Sequence, residues 1–100
     1  MKKKLTKEIH RVHVYYSGRV QGVGFRYTAE GLALDLKLVG WVKNLPDGRV
    51  ELVCEGPKEK IEQLFSNIKK SILRPHIKKA DVRWEIPTHQ FSDFIVEFFL

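Results

Sequence analysis

Three glycines and an arginine near the start of the chain have the types and spacing of an anion-binding loop. Gly18, Gly22 and Gly24 follow a strand-like run, and Arg26 lies in the first turn of a predicted helix. A glycine-rich loop can turn successive N–H groups into one hollow, because glycine reaches backbone angles that other residues avoid. The positive end of the helix and the guanidinium add to the same field. The pattern predicts a site for a phosphate-sized anion, and we interpret it as the active site.

Two common nucleotide-binding loops do not fit these residues. A Walker loop needs Lys followed by Ser or Thr at the helix start, where this chain has Phe25 and Arg26. A dinucleotide fingerprint needs a further glycine three residues after Gly24, where the chain has Tyr27. From spacing alone, a glycine-rich turn beside a solvated arginine stays open as the alternative, because isolated glycine patterns are weak evidence.

Hydrophobic periodicity predicts the elements that hold this loop. Residues 9–17 alternate apolar and polar side chains, which indicates a half-buried strand. Apolar residues recur every three to four positions from Phe25 to Leu36, which indicates one apolar helix face. Residues 38–44 and 49–55 are predicted to be two strands of a hairpin, joined by a Pro-Asp-Gly turn.

The second half of the chain predicts one more helix and two more strands. Gly56 and Pro57 start the helix, and Pro75 ends it. A fourth strand lies near residues 81–86, and residues 91–99 supply the last one. This order predicts an α+β two-layer sandwich, with two helices on one face of a mostly antiparallel sheet. The predicted inward stripe of the second helix is Ile61, Leu64, Phe65, Ile68 and Ile72, and the alternating apolar residues of the fourth strand are Val82, Trp84 and Ile86.

Composition predicts one ordinary globular domain. We divide the 100 residues into a basic N-terminal tail, residues 1–8, and a domain, residues 9–100. The formal net charge of +6 favours anionic partners, and we interpret the lysine clusters as solubilising. No apolar run approaches about 18 residues and no apolar segment follows the basic N-terminus, so neither a membrane span nor a signal peptide is predicted. The single cysteine, Cys54, fits a buried strand residue in a reducing cytoplasm.

The sequence gives less evidence for a metal site or an acid–base pair than for the anion-binding loop. The histidines lack the spacing that zinc hydrolases use, and one cysteine cannot complete a structural zinc site, so no metal is predicted. Glu51 and Glu55 are interpreted as charges on a solvent-facing strand rather than as a catalytic carboxylate pair.

Two segments carry a resemblance to a known family. Residues 18–26, with the sequence GRVQGVGFR, resemble the first acylphosphatase signature. Residues 40–44, with the sequence GWVKN, resemble the second signature together with Gly48, Val50 and Gly56. The chain is similar to the acylphosphatase family over nearly its whole length. The resemblance implies a ferredoxin-like fold, βαββαβ, and hydrolysis of the carboxyl–phosphate anhydride bond of a small acyl phosphate.

The resemblance also implies a role for each site residue. It implies two catalytic residues: Arg26, which binds the phosphoryl oxygens, and Asn44, which holds the attacking water. A forked guanidinium matches charged oxygens, and an amide suits a neutral water. No metal or organic cofactor is implied, and we expect a cytoplasmic monomer without nucleic-acid or membrane partners. The implied phosphate-binding residues are Gly18, Arg19, Val20, Gln21, Gly22, Val23, Gly24 and Arg26.

Three features depart from the family's pattern. Tyr16 replaces a usual aliphatic residue, Lys37 stands where many relatives have glycine, and residues 97–100 replace a common Arg-Tyr end. We expect Tyr16 to alter packing under the loop, and none of the three to touch Arg26 or Asn44. A non-glycine left-handed cap costs about 1 kcal/mol, so we expect a different arrangement of the helix end at Lys37.

Two other functions stay open at this point. An RNA-recognition domain has a similar layout, but its aromatic motif belongs on the third strand, and residues 49–55 contain no aromatic side chain. A catalytically silent domain that senses a small anion would use the same loop. Hydrolysis of benzoyl phosphate separates the three functions.

Overall fold

The structure is a computed structural model that describes residues 8–98. Residues 1–7 of the predicted tail and Phe99 of the predicted last strand lie outside the described residues. No helix among residues 8–98 is long and apolar enough to cross a membrane. The elements follow one another as β1 (Ile9–Gly18), α1 (Phe25–Asp35), β2 (Val39–Asn44), β3 (Val50–Pro57), α2 (Lys58–Lys70), a 3₁₀ turn (Arg74–His76), β4 (Ile77–Glu85) and β5 (Phe94–Glu97).

The strands form one sheet in the order β4-β1-β3-β2-β5. β1 is antiparallel to both of its neighbours, β2 is antiparallel to β3, and β5 runs parallel to β2. Both helices pack on one face of this sheet, so the predicted two-layer ferredoxin-like fold is confirmed. The hairpin of β2 and β3 is confirmed as well, with Asn44 paired to Val50 at its turn end.

The core lies between the sheet and the helices, where strand alternation and helix periodicity direct apolar side chains. Val12, Val14 and Tyr16 point inward from β1, and Ala29 and Ala33 from α1. Cys54 is buried there too, and burial raises the pKa of its thiol to about 12. The thiol therefore stays protonated near neutral pH, as a small core residue.

The end of α1 keeps the left-handed geometry despite its lysine. The Lys37 amide donates to the Leu34 carbonyl over 3.0 Å, and the Leu38 amide donates to the Ala33 carbonyl over 3.0 Å. These are the two bonds of a Schellman motif, and Lys37 has φ of +59° at its left-handed position. The expectation of a different helix end is therefore wrong, because the two backbone bonds and the burial of Leu38 hold Lys37 in place.

The predicted end of α2 is wrong by one turn. The helix ends at Lys70, where the Ser71 amide and hydroxyl both donate to the Ile68 carbonyl. Pro75 lies beyond it in the 3₁₀ turn, and Ile72 is 74% exposed rather than part of the inward stripe. Leu73 fills the core instead. The last strand is also shorter than predicted, since β5 contains only residues 94–97.

The interpretation of Glu51 and Glu55 as solvent-facing is wrong. Both are buried on the sheet face that carries no helix, where an ion-pair network covers them. Arg11 Nη1 lies 3.0 Å from Glu55 Oε2, and Arg11 Nε lies 2.8 Å from Glu85 Oε1. The ring nitrogens of His13 face Glu51 and Glu85. Residues of β1, β3 and β4 therefore build a charged layer on the second face of the sheet.

Candidate active site

The loop after β1 turns sharply at Gly18. Gly18 has φ of +126°, and a β-carbon there would lie 2.5 Å from the carbonyl oxygen of His76. The Arg19 amide donates to that same oxygen over 2.9 Å. Gly18 and Arg19 are therefore fixed against the 3₁₀ turn, and neither lines the cavity between the loop and Asn44.

Gly22 and Gly24 carry the chain from the loop into α1. Their φ angles are +78° and +80°, and a β-carbon would meet no atom at either one, so the requirement for glycine is conformational. Gly24 is the N-cap of α1, and no side chain caps this helix end. The amides of Phe25, Arg26 and Tyr27 precede the first intrahelical bond, from Thr28 to Gly24. Free amides at a helix N-terminus are a ready site for an anion.

These amides open onto a cavity of about 160 Å³. Arg26 and Asn44 meet at this cavity, although they come from different elements of the fold. Its volume is below the roughly 300 Å³ at which pockets for drug-sized ligands begin. It therefore suits a group of phosphoryl size, with the rest of a larger molecule outside. The lining residues are Val20, Gly22, Gly24, Phe25, Arg26, Tyr27 and Asn44.

Gln21 ties the loop to the hairpin turn that follows Asn44. Its side-chain Nε2 donates to the Leu45 carbonyl over 2.8 Å and to the Arg49 carbonyl over 3.0 Å. Asp47 braces the same turn by accepting from the Arg49 amide and from Arg49 Nε. The distance between the loop and the end of β2 is therefore set by direct hydrogen bonds.

Under the loop, Tyr16 packs against Phe25, with ring centroids 4.9 Å apart. Burial, together with the proximity of Cys54, raises the pKa of Tyr16, so its phenol stays neutral. The expectation that Tyr16 acts on packing under the loop agrees with this contact. Val23 is partly buried and packs against the core.

The C-terminal segment reaches the site, contrary to the sequence-based expectation. The guanidinium carbon of Arg26 lies 5.0 Å from the centroid of the Phe98 ring, and Tyr27 contacts the same ring at 6.4 Å. A cation over an aromatic face is attracted to it and loses freedom of orientation. The expectation that the atypical C-terminus does not touch Arg26 is wrong.

Among the described residues, no carboxylate lines the cavity. The positive charge of Arg26 and the positive end of the helix dipole therefore meet at the cavity without a competing negative group. No group of three metal-ligating side chains lies together among residues 8–98. The expectation of a reaction without metal stays a prediction.

Comparison with known proteins places the chain in a family. The model of the Acylphosphatase family matches residues 12–96, which include both signature segments and all the residues that line the cavity. The chain belongs to the acylphosphatase family. The fold, the loop and the order of the two signatures all agree with this membership.

Individual relatives match over almost their full length. An acylphosphatase of Methylococcus capsulatus is 45% identical over 86 residues, which cover 86% of this chain and 94% of that protein. The crystal structure of acylphosphatase from Bacillus subtilis superposes with a TM-score of 0.81 at 33% identity, and covers 88% of this chain and 98% of that one. An acylphosphatase structure from Coxiella burnetii gives 0.79 at 36% identity, with 89% and 93% covered.

The sequence did not reveal two contacts of the site. Gln21 was assigned to the phosphate loop, but its side-chain bonds to the hairpin turn depend on a tertiary approach. Phe98 carries no motif, and its position over Arg26 follows from β5 lying parallel to β2 at the sheet edge. An aromatic residue just after the last strand was the one signal available for it.

Proposed function

We propose that this protein is an acylphosphatase, which hydrolyses acyl phosphates to a carboxylate and inorganic phosphate. The single observation that carries the proposal is the cavity at which Gly22, Gly24, Arg26 and Asn44 meet. Membership of the acylphosphatase family supports the same activity.

In this proposal, the loop and Arg26 hold the phosphoryl group. Its non-bridging oxygens accept hydrogen bonds from amides between Val20 and Tyr27, and the forked guanidinium of Arg26 binds two of them. A phosphoryl group keeps its negative charge through the reaction, so fixed donors stabilise the transition state with little reorganisation. Gly18 and Arg19 support the loop from outside, because the Arg19 amide is already bonded to His76.

Asn44 positions the attacking water. The amide fixes a neutral water in line with the bond that breaks, which lowers the entropic cost of the attack. The water oxygen bonds to phosphorus, the bridging P–O bond breaks, and its electron pair leaves with the carboxylate. One water proton passes to a non-bridging phosphoryl oxygen, which gives dihydrogen phosphate. A carboxylate leaves readily, so the mechanism needs no metal or protein acid.

The remaining expectations from the sequence belong to the proposal as well. They are a monomer in the cytoplasm, a small acyl phosphate as substrate, and no nucleic-acid or membrane partner. Against an RNA-recognition role, β3 contributes Glu51, Val53 and Glu55 to the helix-free face, and none of the three is aromatic.

Hydrolysis of benzoyl phosphate tests the proposed function. We expect turnover that a chelator leaves unchanged, and a fall of about 100-fold or more in Arg26→Gln and Asn44→Ala, because each removes a group that acts on the transition state. Arg74→Gln and Asn67→Ala are matched controls outside the cavity, and they should retain wild-type rates. Circular dichroism checks that all four variants are folded.

A silent anion sensor would give a different result in the same assay. Wild-type protein that binds inorganic phosphate but does not hydrolyse benzoyl phosphate would reject the enzyme and favour the sensor. Loss of activity on chelation would reject the metal-free mechanism.

A further inference from the structure

The two helices leave the inner face of β4 partly uncovered. β4 is an edge strand, and its Ala80 pairs with Tyr16, so Ala80, Val82 and Trp84 point to the side where the helices lie. Val82 is nevertheless 39% exposed and Trp84 45% exposed. The rings of Phe65 and His10 lie 6.5 Å and 6.2 Å from that of Trp84, and Lys58 Nζ lies 5.6 Å from its centroid. An apolar slot therefore remains between α2 and β4.

The slot has a volume of about 260 Å³, and most of its lining residues are apolar. Phe65, Ile68, Ile77 and Val82 contribute its apolar walls. Tyr16 also lines it, and this side chain is 96% buried, with a relative exposure of 4%. Its hydroxyl supplies a donor and an acceptor at the slot, and among residues 8–98 no buried side-chain polar atom lacks a hydrogen-bond partner.

A basic groove continues from the mouth of the slot. It has a volume of about 620 Å³, which is within the range of ligand pockets. Slot and groove share Lys69, Ile77 and Ala80 as lining residues. Within the described part of the chain, no carboxylate lines the groove. The cations that line it are Lys69, Lys70, Arg74, Lys78 and Lys79.

Two of these cations already have a role in the helix. Lys69 and Lys70 lie in the last turn of α2, where positive charge offsets the negative end of the helix dipole. Arg74, Lys78 and Lys79 come from the 3₁₀ turn and β4, and none of them has a carboxylate partner within the described residues. The groove therefore keeps an excess of positive charge beside an apolar slot.

We propose that the slot and the basic groove together bind an amphipathic organic anion. Its aryl or alkyl end fills the slot and meets the Tyr16 hydroxyl, while its acid group lies among the cations of the groove. Charge complementarity selects an acid rather than a neutral or cationic ligand. The site is separate from the active-site cavity, since the two share no lining residue, although the Tyr16 and Phe25 rings touch between them.

Two fluorescent probes of one shape test the proposal on the full chain. Anilinonaphthalene sulfonate carries the acid group, and phenylnaphthylamine has the same rings without it. Both are titrated into folded protein with saturating inorganic phosphate present, so that the phosphate loop is occupied. We expect one site per chain for the sulfonate, with binding at least about tenfold tighter than for the neutral probe.

Variants of slot and groove separate the two parts of the site. Lys69→Gln with Lys78→Gln should weaken the sulfonate about tenfold and leave the neutral probe unchanged. Lys37→Gln with Lys60→Gln removes the same charge from positions that line neither slot nor groove, and it should change the binding of neither probe. Ala80→Phe fills the slot and should abolish binding of both probes. Near-ultraviolet circular dichroism confirms that each variant keeps its tertiary packing.

Three results would overturn the proposal. Equal losses in both lysine pairs would mean that only the overall charge attracts the sulfonate. Loss of binding in Arg26→Gln would place the probe in the active site. A wild-type dimer in sedimentation that Ala80→Phe dissociates would mean that a second copy of the chain covers the slot. If Ala80→Phe does not fold, the comparison of the two lysine pairs still decides.

Discussion

A lysine occupies the left-handed position that ends α1. Lys37 has φ of +59°, and residues with a β-carbon pay steric strain there that glycine avoids. The two Schellman bonds and the buried Leu38 compensate for this strain without removing it. The sequence indicated that Lys37 is unfavourable in a left-handed conformation. Tertiary packing determines whether the backbone adopts that conformation despite the strain.

Replacement of Lys37 by glycine should therefore stabilise the protein. We expect Lys37→Gly to raise the free energy of unfolding by about 1 kcal/mol, the cost of a left-handed non-glycine residue, as measured by urea denaturation. Lys37→Ala is the matched control, since it removes the lysine but keeps the β-carbon, and it should give no such gain. Equal stabilisation by alanine would show that the charge of Lys37, and not its backbone, is unfavourable.

At the scale of elements, the spacing of apolar residues predicted those features that depend on neighbours close in sequence. The hairpin of β2 and β3, the loop into α1 and the apolar faces of both helices follow from spacing within a few residues. The end of α2 does not, because Ser71 stops the helix by hydrogen bonding to the Ile68 carbonyl well before Pro75. A proline stops a helix that reaches it, but the helix can end earlier where another residue caps it.

Exposure of whole strands also depends on neighbours that the sequence does not show. Glu51 and Glu55 alternate with apolar residues as a solvent-facing pattern would, but β3 is central and both of its faces are covered. Val82 and Trp84 have the pattern of buried residues, but β4 is at the edge and α2 does not reach across it. Alternation gives the face of a residue, whereas sheet order decides whether that face is covered.

At the scale of the whole molecule, buried carboxylates link stability to pH. Glu55 accepts hydrogen bonds from the Thr88 amide at 2.8 Å, the His89 amide at 3.0 Å and Arg11. Burial by itself raises the pKa of Glu55, but these bonds outweigh it, and the pKa lies below its ordinary value of 4.5. The hydrogen bond from Arg11 lowers the pKa of Glu85 in the same way, with His13 adding to it and partial burial opposing.

The free energy of unfolding should therefore fall in acid. A carboxyl with a lower pKa in the folded state contributes its full stability above the unfolded pKa, near 4.5, and loses it as the pH falls through the folded pKa. Urea denaturation across this range should show a steep loss below about pH 4.5. Glu55→Gln should lower the free energy of unfolding by roughly 1.5–3 kcal/mol at neutral pH. It should also make the decrease of this free energy below about pH 4.5 less steep.

The exposed Glu62 of α2 provides the control for this dependence. Glu62→Gln removes one carboxyl as well, but it should keep both the stability and the acid slope of the wild type. An acid slope that Glu55→Gln leaves unchanged would show that other carboxyls cause the loss.

In the candidate site, as in the fold, short motifs were predictable from the sequence and long-range contacts were not. Arg26, Asn44 and the loop glycines were predictable, because each lies within a short motif whose spacing fixes its place at the end of an element. The ties from Gln21 to the hairpin turn and the contact of Phe98 with Arg26 were not, because they join segments distant in sequence. Motifs place the candidate residues at the ends of their elements, and the tertiary fold sets the distances between them.

In the proposed mechanism, the loop amides and Arg26 together hold a phosphoryl group. Titration of the isotope-labelled protein with inorganic phosphate, followed by amide NMR, tests it most directly. We expect saturable shifts of the Gly22, Gly24 and Arg26 amides, with affinity about tenfold lower in Arg26→Gln and unchanged in Arg74→Gln. Loop amides that do not move, or equal affinity in Arg26→Gln and the wild type, would contradict the account.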